Sequence, residues 1–150
     1  MSFIGRIIVI IFAVMVASLV AGMAIAMAIL GPQWHGFEGD VGERATFWMV
    51  TLFGASFTGA AGLLPLAVLI AIAETFKIRS LLANAVAGVA LLLMGYYASG
   101  MTRPYEESID KPPPPISREV EIAAAAGAVF GLTYWLIAGR KAGRWREPRA

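Results

Sequence analysis

The chain has 150 residues, a length that suits one small domain, but 59% of them are hydrophobic, only 15% are charged and the mean hydropathy is +0.73. A water-soluble domain carries roughly 25% charged residues, and a core this small cannot hide so much apolar surface from water. The net charge of +2 and the absence of cysteine exclude a disulfide framework, cysteine-ligated metals and the basic face that nucleic acid requires.

The first apolar run, Ile7 to Leu30, is broken only by Ser18 and Gly22. As a helix it reaches about 36 Å, enough to cross a hydrocarbon core of roughly 30 Å. Gly31 and Pro32 end it, since glycine suits the position after a helix and proline cannot continue the ladder. Arg6 before an apolar stretch and Ala24-Ile25-Ala26 have the look of a signal peptide, but the stretch is too long for one. The polar segment Gln33 to Gly42, with Trp34, His35, Glu38 and Asp40, reads as a short outer loop.

Asp40 caps the second helix, and Glu43 stands at the capping-box spacing. The apolar run then continues from Ala45 to Ala73, longer than one perpendicular crossing needs. Pro65 is the expected kink, because its ring clashes with the carbonyl of Ala61 and its amide donor is missing. Only Thr75 to Ser80 separates this run from the third, Leu81 to Ala98, so the two form a tight antiparallel hairpin with Ser80 as a cap. Tyr96 and Tyr97 end the third run, where aromatic belts form.

Gly100 to Ser117 holds Arg103, Glu106, Glu107, Asp110, Lys111 and the prolines Pro112 to Pro115. These favour an extended polyproline II arm outside the membrane. Ser117 is placed to cap a fourth helix, and Glu119 and Glu121 suit the positive end of its dipole. The fourth run, Ile122 to Ala138, ends at Tyr134 and Trp135. The fold predicted is all-α, a single four-helix transmembrane domain over residues 1–150. Its helices fall at about 4–30, 41–75, 80–99 and 118–139, with a Pro-rich outer loop between the last two and a basic tail over 140–150.

Charge follows the alternation of sides. Arg6, Lys77, Arg79, Arg140, Lys141, Arg144, Arg146 and Arg149 fall on one side, against Glu74 and Glu147. The other side holds four basic residues and eight acidic ones. The basic bias places the first side, with both termini, in the cytoplasm.

All four runs carry a small-residue face. Ser18 and Gly22 mark the first; Gly54, Thr58 and Gly62, with Ala55 and Gly59 beside them, the second; Asn84 and Gly88 the third; and Ala123, Gly127 and Gly131 the fourth. Small residues let helix backbones approach in lipid, where no hydrophobic force drives association. Two intramembrane polar groups stand out. Glu74 is the carboxylate nearest a span, expected to pair at the interface with Lys77 or Arg79. Asn84 is expected to bond a neighbouring helix or a carbonyl. His35 with Glu38 and Asp40 makes only a weak metal or hydrolytic constellation. No phosphate-binding, dinucleotide, nucleophile-elbow or zinc-protease motif is present. No catalytic residue, cofactor or metal site is therefore assigned, and two axial histidines for a haem are lacking.

The run from Phe47 through Pro65, with Ser56-Phe57-Thr58-Gly59 and Leu63-Leu64-Pro65, resembles small uncharacterised inner-membrane proteins of alphaproteobacteria. The ending Tyr134-Trp135-Leu136-Ile137-Ala138-Gly139-Arg140 adds to the likeness. The resemblance implies an inner-membrane location and no activity. Taken together, these features predict a non-enzymatic accessory or assembly subunit. Its partners are the lipid bilayer, other membrane subunits or a second copy of itself, and not nucleic acid. The alternative is a small oligomeric transporter or channel using Glu74 or Asn84, although no acid lies mid-span in the first three runs.

Overall fold

A computed structural model of the protein describes residues 3–31, 38–100 and 116–143, the side chains of 3 and 60–62 excepted. The expectations for His35, the polyproline arm and the last seven residues fall outside them. The described chain is helical: α1 (Phe3–Leu30), α2 (Val41–Thr75), α3 (Leu81–Ala98), α4 (Arg118–Ile137) and a short 3-10 turn, Gly139–Lys141. Ile4–Leu30, Leu81–Ala98 and Arg118–Ile137 are each long and apolar enough to cross a membrane. α2 makes a fourth such segment if its halves, Val41–Gly59 and Leu63–Thr75, count as one bent span.

The helix ends follow local chemistry. Gly31 takes a left-handed backbone, φ +69, directly after α1. Asp40 accepts the amide of Glu43 at 2.8 Å, and Ser80 accepts that of Ala83 at 3.4 Å. Ser117 departs from expectation. It has the extended backbone of a cap, but its side chain makes no capping bond. α2 ends in a Schellman-type turn. The Ile78 amide bonds the Ala73 carbonyl at 2.9 Å, and Lys77 occupies the left-handed position with φ 54.

The two halves of α2 meet at 63°. The break lies just ahead of Pro65, where the carbonyl of Ala61 has lost its partner amide. Thr58 adds to the local loosening, since its hydroxyl bonds the carbonyl of Gly54 at 2.8 Å, a back-bond that bends helices.

α1 packs against α2 on one side and α4 on the other, and α4 pairs closely with α3, while α2 and α3 touch only lightly. The bundle is built inside out relative to a soluble protein. Ala13, Ala17 and Ala21 are fully buried, whereas Leu64 is 82% exposed and Phe53 70%. In water that distribution would be unfavourable by about 25 cal/mol for each Å² of apolar surface left outside. In hydrocarbon it costs nothing, and small residues at the centre let the helices draw together. The apolar exterior suggests a membrane protein.

Candidate functional site

The polar side chains that the fold buries most deeply in one place gather at one end of the bundle. Arg6 sits in the first turns of α1 and is 2% exposed; Glu74 sits in the last turn of α2 and is 9% exposed. Antiparallel pairing of the two helices sets them face to face across 68 positions of sequence. The Arg6 Nε donates to Glu74 Oε1 at 3.0 Å, and its Nη2 also reaches that oxygen.

The C-terminal segment completes the cluster. Arg6 Nη2 donates to the carbonyl of Ala138 at 2.9 Å, and the Gly143 amide donates to Glu74 Oε2 at 2.8 Å. Ala138 is the residue that caps α4, so the guanidinium meets the negative end of that helix dipole, a favourable placement. Glu74 stands at the negative end of its own helix, an unfavourable one, offset by the donors on both its oxygens. Gly143 has φ +71, and a Cβ there would stand 3.2 Å from the Glu74 carbonyl oxygen. Glycine takes that conformation without strain and brings its amide to the carboxylate.

The expectation for Glu74 named Lys77 or Arg79 of its own turn as partner; the structure adds one from across the bundle, Arg6 of α1. Lys77 lies in the left-handed turn and lays its stem against Gly143. Arg79 points to the C-terminal segment, where its Nε donates to the Ala142 carbonyl at 3.0 Å. Trp135 donates from Nε1 to the Arg79 carbonyl at 2.8 Å, and the Arg140 guanidinium lies 5.5 Å from the centre of the Trp135 ring. The start of α1, the α2–α3 turn and the segment after α4 are thus stitched together.

Asn84 is buried just above this cluster. Its Nδ2 donates to the Ser80 carbonyl at 2.8 Å, within its own helix. Its backbone faces Gly131, since a Cβ on that glycine would lie 2.8 Å from the Asn84 carbonyl carbon. A small cavity of about 100 Å³ lies beside Asn84 and Tyr134, walled by Leu66, Ile70 and Phe130.

The small-residue positions fall into two seams. On α3 and α4, each step of four along one helix is matched by a step of four back along the other. Gly88 faces Gly127 and Gly131, and Gly131 faces Asn84. A Cβ on Gly88 would stand 2.8 Å from the Gly131 amide nitrogen, and one on Gly127 would stand 2.7 Å from the Val89 Cα. No methyl group fits at either place. On α1 and α2, a Cβ on Gly22 would stand 2.8 Å from the Ala55 amide nitrogen, and one on Gly54 would stand 3.3 Å from the Gly22 Cα. Ser18 and Thr58 are buried near this contact, Ala123 is half-buried on α4, and the surroundings of Gly62 lie outside the described residues.

Chemically the end cluster binds and holds. Each oxygen of Glu74 already accepts a donor, and among the described residues no three metal-ligating side chains gather. Two buried polar atoms stay unbonded there and in the α1/α2 seam, Arg6 Nη1 and Thr51 Oγ1. Sequence reasoning missed the role of Arg6. The signal was available in the short connection between the first two runs, which brings their outer ends to one level. No family model, curated protein or solved structure matches this chain.

Proposed function

We propose that the protein is a four-span inner-membrane protein with both termini in the cytoplasm, acting as a non-enzymatic accessory or assembly subunit. The observation that carries this reading is the glycine seam of α3 and α4. Gly88, Gly127 and Gly131 hold two backbones in direct contact, a rigid arrangement suited to presenting a fixed outer surface. The stitched end supports the same reading, because Arg6, Glu74, Ala138 and Gly143 bond one another across three segments. The cytoplasmic assignment rests on the basic residues Arg6, Lys77, Arg79, Arg140 and Lys141, which all lie at that end and resist translocation.

The test is purification in mild detergent from native membranes, followed by identification of co-purifying chains. A stoichiometric membrane partner is the expected result. A protein that runs alone under several gentle conditions overturns the reading.

A small oligomeric transporter or channel is favoured by one observation, the bent α2 beside the cavity at Asn84 and Tyr134. A liposome flux assay comparing the natural protein with Glu74→Gln decides it. Flux of ions, protons or cationic dyes that depends on Glu74 would replace the subunit reading.

A further inference from the structure

α2 and α3 touch only lightly, and the gap between them reaches in to α4. It forms the cavity of about 100 Å³, with Leu66 and Ile70 of α2 on one wall, Leu91 of α3 on the other and Phe130 of α4 at the back. Two polar side chains, Asn84 and Tyr134, line the end nearer the Arg6–Glu74 cluster. Ile72 and Ala83 also line it and are exposed, so the cavity opens to the outside between α2 and α3.

Three features define what fits. The first is size. At roughly 30 Å³ for a water-sized group, the volume takes about three or four non-hydrogen atoms. The second is the wall. No charged side chain lines it, so an ion entering would lose its hydration without a counter-charge.

The third is the polar end. Tyr134 is 6% exposed, and among the described residues its hydroxyl has no hydrogen-bond partner. A buried tyrosine hydroxyl ordinarily finds one. Asn84 is 8% exposed and gives one amide N–H to the Ser80 carbonyl, which leaves its second N–H. One end of the cavity thus offers hydrogen bonds, and the rest offers only hydrocarbon.

We propose that this cavity is a binding site for a small uncharged molecule with one oxygen, of the size of a three-carbon alcohol. Its oxygen sits at Tyr134 and Asn84, and its carbon chain lies against Leu66, Leu91 and Phe130. The site goes beyond the subunit role and does not depend on it.

The experiment is solution NMR of the full chain in detergent micelles with labelled isoleucine and leucine methyl groups. It is titrated with 1-propanol and, separately, with xenon, which apolar cavities take up without any hydrogen bond. The expected result is a saturating shift of the Ile70 and Leu91 methyls with either probe. Leu64, 82% exposed, should show only the unsaturated drift of a methyl in the micelle. Tyr134→Phe should weaken propanol binding about fivefold, the worth of one net hydrogen bond, and leave xenon unchanged. Ala87→Leu fills the cavity and should abolish both responses. Ala73→Leu provides the same test from α2 should the first variant not fold. Shifts at Ile70 and Leu91 that follow Leu64, or a saturating response that survives a filled cavity, overturn the proposal. So does a Tyr134→Phe variant that binds propanol unchanged, or that loses xenon as much as propanol. A co-purifying acyl chain that contacts these methyls and is not displaced by propanol would make lipid the occupant, and overturns it equally.

Discussion

The guanidinium of Arg6 and the carboxylate of Glu74 are almost wholly removed from solvent, so each is safe only in the presence of the other. Removing one partner of a buried pair leaves an uncompensated charge and typically costs about 3–5 kcal/mol. Arg6→Met alone and Glu74→Leu alone should each lower the unfolding midpoint in detergent sharply. The double variant should recover most of the loss, and a midpoint equal to the sum of the two single losses would refute the pairing. Thr51 makes the opposite case. Its hydroxyl is buried without a partner in the α1/α2 seam, a condition that costs about 1–3 kcal/mol. Thr51→Val keeps the shape and removes the unbonded group. The same denaturation assay should show it as stable as the natural protein or more so, and a clear loss would mean the hydroxyl has a partner. Little of this scale was legible in the sequence. Glu74 stood out as a carboxylate beside a span, but its partner depends on how two helices are rotated about their axes. Local spacing pointed to Lys77 or Arg79 and gave no sign of Arg6.

The four helical runs were far more legible than the contacts between them. A helix in hydrocarbon must satisfy its backbone internally and is apolar all round, so long uncharged runs mark it without any need for a periodic face. The bend in α2 belongs to this scale. Pro65 gave its place, whereas the 63° angle depends on packing around it. Pro65→Ala restores the missing donor and should straighten the helix. Spin labels at Arg44 and Phe76 should then move apart by roughly 7 Å, given the 1.5 Å rise per residue, as read by pulsed electron resonance. An unchanged distance would place the cause of the bend elsewhere, with Thr58 the first residue to replace. Ser117 shows the limit of cap reasoning from sequence. It holds the capping backbone without the bond, while the next residue, Arg118, turns its Nη2 to the Ala28 carbonyl at 3.1 Å.

For the molecule as a whole, the alternation of apolar runs and charges gave an orientation that can be measured directly, because the chain has no cysteine. Single cysteines at Ser2, Ser80, Ser108 and Arg149, treated in intact spheroplasts with an impermeant thiol reagent, should label at position 108 alone. Labelling at 149 and not at 108 would show the protein inverted. Labelling at both would remove one crossing, with the short fourth run the first suspect. The stitched end also constrains the order in which the protein can be completed. On the four-span reading proposed above, α1 and α2 can bring Arg6 and Glu74 together as soon as both are inserted. The carbonyl of Ala138 and the amide of Gly143 arrive only after α4 has entered. Until then a desolvated guanidinium and carboxylate share one contact between them, with neither its second anchor. The half-made protein therefore carries a polar flaw that its own final segment removes, and arrival of that segment turns a provisional hairpin into a closed molecule.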